Sequence, residues 1–179
     1  MNSQNTNDKF KIVISVGDES GVGPEIILKA LFSCEIQKNI EFILVGSKKN
    51  LQNTYLKLRS LGLNNLANPK NLNIHDLKIS SSDSNCKSSF GNSSFYYLTK
   101  AIEIVKKYPN SALVTGPICK KSWSLAGHHF SGQTEVLAKS CKAKNVGMLF
   151  LSLIHISETT RQPTNSYSLG FVKKGGAGG

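Results

Sequence analysis

Three short runs of apolar and β-branched residues constrain the fold of this chain more than any other feature. They cover residues 10–16 (FKIVISV), 41–46 (EFILVG) and 112–115 (ALVT). Runs without the polar alternation of a half-exposed strand are typical of parallel strands whose two faces are both covered. Segments with helical spacing of apolar residues separate these runs. The alternation predicts an α/β protein with a mostly parallel sheet.

The helices are predicted from apolar spacing together with start and stop residues. Pro24 suits the first turn of a helix that follows the first strand. A second helix is predicted over residues 49–61. Ser93 or Ser94 is expected to cap a third, and Thr134 is a suitable N-cap for a fourth.

Four segments give weaker or non-regular predictions. Short strands are expected over residues 72–79 and 146–150, and the Ser- and Asn-rich segment 80–89 is typical of a surface loop. Residues 1–9 are polar and are expected to form a disordered lead-in.

The segment 111–135 carries the strongest candidate for chemistry. Its strand ends in Thr115-Gly116-Pro117, and Lys120 follows directly. Ligands of open α/β sheets bind outside the carboxyl ends of the strands. The pattern therefore fits a site for an anionic substrate, although a strand, a turn and solvated lysines explain it equally well.

The loop after the first strand resembles a phosphate-binding loop only superficially. It contains Gly21 and Gly23 but lacks the third glycine of G-x-G-x-x-G, and no Gly-Lys-Ser/Thr ending follows. The carboxylates of Asp18 and Glu19 would repel a phosphate. We therefore expect this loop to serve a hydroxyl, an amine or structural capping rather than a dinucleotide.

Charge and cysteine content bound the remaining possibilities. The net charge is +11, but the lysines are scattered and no aromatic platform accompanies them, which favours a solvated surface over nucleic-acid binding. No apolar run approaches a membrane span, and the polar start predicts a cytoplasmic protein without a secretory signal. The four cysteines, which form no C-x-x-C pair, are predicted to be reduced thiols: Cys34, Cys86, Cys119 and Cys141.

Four segments together carry a family resemblance. They are GDESGVGPEI (17–26), GNSSFYYLTKAI (91–102), ALVTGPICK (112–120) and GHHFSGQTEVLA (127–138). In this order they resemble the N-terminal half of the 4-hydroxythreonine-4-phosphate dehydrogenases of vitamin B6 biosynthesis. The resemblance implies an isocitrate/isopropylmalate-dehydrogenase-like fold and a homodimer. It also implies oxidation of 4-phosphooxy-L-threonine with NAD and a divalent metal (Zn, Mg or Co), followed by decarboxylation to 3-amino-2-oxopropyl phosphate.

The resemblance also implies roles for individual residues. Gln133 and Thr134 would bind the substrate, with Lys120 a weaker candidate, and the loop of Asp18, Gly21 and Gly23 would lie near the site. Gln133 is a departure, because the family more often has His before this Thr. An amide can donate a hydrogen bond but cannot carry a proton or a charge at neutral pH. No residue of the chain is assigned a catalytic role.

The metal site is expected to be missing from this chain. In the family three histidines bind the metal, and they lie in the C-terminal half together with the phosphate-binding residues. The pattern is predicted to end near Phe150, and His155 lacks matching flanks. Residues 10–150 would then be the N-terminal part of a truncated enzyme that is inactive alone and binds neither cofactor fully. Residues 151–179 are interpreted as a non-native or read-through tail.

Two alternative functions stay open from the sequence. A phosphate acyltransferase of the same broad fold would need neither the histidines nor NAD. A non-catalytic basic binding module would account for the charge of +11 and would bind nucleic acid in a salt-dependent manner.

Overall fold

The computed structural model describes residues 9–33, 39–77 and 87–148. Its elements in chain order are β1 (Phe10–Ser15), α1 (Gly23–Ser33), β2 (Ile40–Gly46), α2 (Lys48–Ser60), a 3₁₀ turn (Pro69–Asn71), β3 (Ile74–Asp76), α3 (Lys87–Lys107), β4 (Ser111–Thr115), α4 (Lys120–Leu125) and α5 (Gln133–Cys141). The four strands form one sheet in the order β3-β2-β1-β4, and all pairings are parallel. The predicted α/β class is therefore confirmed.

The order of the strands creates a topological switch point beside β1. β1 pairs with β2 on one side, from Phe10↔Ile40 to Ser15↔Val45, and with β4 on the other. Because crossovers between parallel strands are right-handed, the connections to β2 and β3 lie on one face and the connection to β4 lies on the other. α3, which makes this last connection, packs on β1, β2 and β4. The carboxyl ends of β1 and β4 are thus where a ligand of this fold class is expected.

The core lies between the sheet and these helices. Val13, Leu44 and Leu113 at the strand centres are almost completely buried, and Leu28 and Leu98 cover them from α1 and α3. Each such side chain contributes about 1.5–3 kcal/mol by its burial. Among the described residues, no helix combines the length and apolar character needed to cross a membrane.

The predicted cap of the third helix at Ser93 or Ser94 is wrong. α3 begins at Lys87, and both serines are buried within it. The Ser94 hydroxyl donates to the Gly91 carbonyl at 3.0 Å and accepts the indole N–H of Trp123 at 2.7 Å. A serine inside a helix is tolerated when its hydroxyl bonds back to the preceding turn. The polar side chains therefore mark a contact with α4 rather than a helix start.

The predicted cap at Thr134 is also wrong. α5 begins at Gln133, with Gly132 at the N-cap in an extended conformation and no side chain bonded there. Ser131 instead donates its backbone N–H and its hydroxyl to the carboxylate of Glu135, at 2.7 and 2.9 Å. Ser131 and Glu135 therefore make the side-chain contact at the entry to α5, and the hydroxyl of Thr134 lies near the sulfur of Met148 instead.

The weaker predictions are met in part. The strand predicted over 72–79 is confirmed only as β3, and residues 78–79 lie outside the described residues. Residues 146–148 are not in a strand, because no described strand pairs with them; residues 149–150 lie outside the described part. Of the predicted loop 80–89, residues 87–89 are helical and the rest is outside. Residues 1–8 of the predicted lead-in 1–9 and the whole predicted tail 151–179 are also outside it.

Candidate functional site

The loops after β1 and β4 are joined directly through their backbones. Gly116 N–H donates to the Ser15 carbonyl at 2.7 Å, and Asp18 N–H donates to the Pro117 carbonyl at 2.9 Å. A Cβ on Gly17, whose φ is +78°, would collide with the Pro117 carbonyl, and one on Gly116 would collide with the Val16 carbonyl. Only glycine allows this approach. The main chain at Gly116 and Pro117 is therefore bonded directly to the main chain after β1, and the two loops form one edge at the switch point.

Asp18 shapes the first of these loops. Its side chain is 6% exposed, and its Oδ1 accepts the backbone N–H of Ser20 at 2.9 Å and the Ser20 hydroxyl at 2.7 Å. Gly21 N–H returns to the Asp18 carbonyl at 3.2 Å, and Gly23 is the buried first residue of α1. Asp18, Gly21 and Gly23 therefore lie together in one loop, and the hydrogen bonds of Asp18 stabilise the turn within it.

Glu19 lies between β1 and the start of α2. Its carboxylate accepts hydrogen bonds from the Tyr97 hydroxyl and from the backbone N–H of Ser47. Burial raises the pKa of Glu19, and the nearby carboxylates of Asp18 and Asp76 raise it further, against the lowering effect of the two donors. Asp76 accepts the backbone N–H of Lys48 at 2.9 Å.

The carboxylates of Glu19 and Asp76 therefore accept the backbone N–H groups of Ser47 and Lys48 at the start of α2. The glycine loop for which the sequence disfavours phosphate leads into α1 rather than α2, so these contacts do not test that expectation. Sequence reasoning missed Tyr97 and Asp76. Tyr97 lies in the segment 91–102 that carries the family resemblance, but nothing there marks it as a partner of Glu19, and Asp76 lies in none of the four segments. The fold brings both residues near Glu19.

Gln133 connects α5 to the end of β4. Its Nε2 donates to the Gly116 carbonyl at 2.8 Å, and its Oε1 accepts the Thr115 hydroxyl at 3.0 Å. The side chain is half-buried. The family resemblance predicts that Gln133 binds the substrate, and that role stays a prediction. In the structure both ends of its amide are bonded to the protein.

Thr134 and Lys120 both lie near the N-terminus of α5. Thr134 is in the first turn, half-buried, with its hydroxyl 4.0 Å from the sulfur of Met148. Lys120 begins α4 and is exposed; a methyl group on Gly132 would lie 3.6 Å from its Cε and 3.9 Å from its Nζ. An ammonium beside the N-terminus of a nine-residue helix is a suitable place for an anionic group, although Glu135 already brings one carboxylate to the first turn of α5.

Cys119 precedes this lysine at the N-cap of α4. Hydrogen bonds from the side chain and backbone of Ser122 lower the pKa of the Cys119 thiol. Cys119 and Cys141 are free thiols, as predicted, whereas Cys34 and Cys86 lie outside the described residues.

The described histidines do not form a metal site. His128 bonds Asn92 Oδ1 at 2.9 Å through Nε2 and stacks on Phe95 with ring centres 3.8 Å apart, and burial lowers its pKa. Within residues 9–33, 39–77 and 87–148, no group of three or more His, Cys, Asp or Glu side chains could hold a metal ion. His155 lies outside these ranges.

The chain matches one protein family and is similar in sequence to several known proteins. The family described as pyridoxal phosphate biosynthetic protein PdxA matches residues 38–162, which extends beyond Phe150. A 4-hydroxythreonine-4-phosphate dehydrogenase from Nostoc is 38% identical over 159 residues, covering 83% of this chain and 43% of the relative. A Clostridium botulinum protein provisionally named as a D-threonate 4-phosphate dehydrogenase is 32% identical, covering 74% of this chain and 43% of its own length.

Solved structures support the fold. A 4-hydroxythreonine-4-phosphate dehydrogenase from Burkholderia phymatum superposes with a TM-score of 0.67 at 21% identity, over 80% of this chain and 47% of that protein. One from Klebsiella pneumoniae gives 0.57 at 24% identity, over 75% and 45%. The chain thus spans less than half the length of these relatives.

Proposed function

Because the chain belongs to the PdxA family of pyridoxal phosphate biosynthetic proteins, we propose that it is the N-terminal, substrate-binding part of a 4-hydroxythreonine-4-phosphate dehydrogenase. The observation that carries the proposal is the meeting of Thr134, Lys120 and the start of α5 at the β1/β4 switch point. A phosphorylated hydroxy amino acid offers anionic groups and hydroxyls, which are the partners that these residues favour.

The roles of the residues follow from their chemistry. The ammonium of Lys120 and the first N–H groups of α5 hold one anionic group of the substrate. The Thr134 hydroxyl, which no cap contact uses, donates or accepts a hydrogen bond with the bound molecule. The rigid contact between the Gly17-Asp18 and Gly116-Pro117 segments keeps the floor of the site in place while the ligand enters.

The cofactors of the whole protein belong to the same proposal, on family membership alone. NAD would accept the hydride, and a divalent metal would polarise the substrate hydroxyl. The described residues do not fit a metal, since they contain no suitable cluster of ligands, so no step of the reaction is assigned to them through it. We also propose that the whole protein is a cytoplasmic homodimer.

The test is a calorimetric titration of the chain with 4-hydroxythreonine 4-phosphate, and with D-threonate 4-phosphate as the competing substrate. Lys120→Ala and Thr134→Ala each remove a hydrogen bond to a charged ligand, which costs about 1.5–3 kcal/mol, or roughly ten- to a hundredfold in affinity. Lys121→Ala removes the same charge from the neighbouring exposed position and is expected to change affinity little.

Three outcomes of this titration count against the proposal. These are no binding by the unaltered chain, equal losses in Lys120→Ala and Lys121→Ala, or unchanged affinity in Thr134→Ala. Tighter binding of D-threonate 4-phosphate would keep the site and change the substrate.

A further inference from the structure

Both polar atoms of the Gln133 amide are hydrogen-bonded within the protein. Its Nε2 must face the Gly116 carbonyl, which can only accept, and its Oε1 then faces the Thr115 hydroxyl, which donates. The two bonds, of 2.8 and 3.0 Å, come from consecutive residues at the end of β4. They hold the side chain in one orientation, with its polar atoms directed at the strand end.

Gln133 lies where its two hydrogen bonds can fix the start of α5. Gln133 is the first residue of α5, directly before Thr134 and directly after Gly132, the residue beside Lys120. No side chain caps Gly132. The Gln133 amide is therefore the polar connection that fixes the first turn of α5 against Thr115 and Gly116.

We propose that Gln133 is a positioning residue, which places Thr134 and the α5 N-terminus for the ligand by clamping Thr115 and Gly116, and does not contact the substrate itself. This inference rests on the proposed substrate-binding function. It departs from the direct substrate contact that the family resemblance implied for Gln133.

A double-mutant cycle distinguishes positioning from contact, with 4-hydroxythreonine 4-phosphate as the probe and the full chain as the protein. Gln133→Met keeps the shape and removes both bonds, and Thr115→Val removes only the hydroxyl that Gln133 accepts. If Gln133 acts through the clamp, each single change weakens binding, and the double variant binds no more weakly than Gln133→Met. Thr115→Ser keeps a hydroxyl at this position and should bind the probe as tightly as the unaltered chain does.

Direct contact predicts a different result. Gln133→Met would then weaken binding by the same factor whether residue 115 is Thr or Val, so that the two losses of affinity multiply. This result would overturn the inference and leave the proposed function intact. Failure of the unaltered chain to bind the probe would overturn both.

A measurement without any substitution protects the test against variants that fail to fold. In the unaltered chain, nuclear Overhauser contacts from the Gln133 side-chain amide to Thr115 and Gly116 should remain when the probe saturates the site. Their replacement by contacts to the probe would overturn the inference.

Discussion

At the scale of single residues, Glu19 is a half-buried carboxylate that accepts a hydrogen bond from the Tyr97 hydroxyl. Burial raises its pKa above the ordinary 4.5, and Asp18 and Asp76 add to this effect. A raised pKa means that the folded chain holds the proton more tightly than the unfolded chain does. The corresponding stability is fully present below pH 4.5 and is lost as the pH rises through the folded-state pKa.

Replacement of Glu19 by Gln tests this sign. The amide cannot ionise, and its oxygen still accepts the Tyr97 hydroxyl. We expect Glu19→Gln to melt at a higher temperature than the unaltered chain at neutral pH, and the difference to shrink towards about pH 4. Glu103→Gln is the control, because Lys100 lowers the pKa of that exposed carboxylate. It should lower stability slightly at neutral pH. A difference for Glu19→Gln that is independent of pH would contradict the account.

The residue scale also shows where sequence reasoning ends. Asp18 and Lys120 follow strand ends in the sequence, where ligands of open α/β sheets bind, and the family resemblance added Gln133 and Thr134; their roles in binding stay predictions. Their partners could not be predicted. The bonds of Gln133 to Thr115 and Gly116 cross from a helix to a strand, and no spacing rule encodes such a contact.

At the scale of elements, the packing of α3 on α4 depends on Gly91. A Cβ at this position would collide with the backbone of Ser122, so α3 and α4 approach as closely as their main chains allow. Trp123 is fully buried beside this contact, with its indole N–H on Ser94 and its ring edge-on to Phe95 at 5.3 Å. These contacts fix α4, and with it the position of Lys120.

Gly91→Ala separates helix propensity from packing. In an exposed helix, alanine is more stable than glycine by about 1 kcal/mol. Here the added methyl forces the helices apart, and we expect a loss of about 1–3 kcal/mol in the free energy of unfolding measured with urea. Lys107→Ala, in the exposed last turn of α3, should change it by less than about 0.5 kcal/mol. Equal or greater stability of Gly91→Ala would show that the close approach is wrong.

The elements themselves were predictable to different degrees. β1, β2 and β4 follow from their apolar runs because both of their faces are covered. The start of α3 did not follow, because Ser93 and Ser94 have the composition of a cap but point their hydroxyls into the interior of the protein, where Trp123 supplies the partner of Ser94. A local signal was overridden there by a tertiary contact.

At the scale of the whole molecule, the chain spans 43% of the length of its Nostoc relative. The described residues contain the proposed substrate edge but no cluster of metal ligands. We therefore expect no NADH to form when the chain is mixed with 4-hydroxythreonine 4-phosphate, NAD and Zn, Mg or Co ions. A full-length relative from Nostoc, assayed in parallel, is the positive control. NADH formation above the blank, by chain free of host dehydrogenases, would show that the residues described here are sufficient.

The central claim is that the ligand binds at the edge where β1, β4 and α5 meet. It is tested most directly by following backbone amide signals during titration with 4-hydroxythreonine 4-phosphate. We expect the largest shifts to occur together at Asp18, Gly116, Lys120 and Thr134. The open groove beside Lys29 and residues 62–65 should stay unchanged. Shifts centred on that groove, or no shifts at millimolar ligand, would contradict the account.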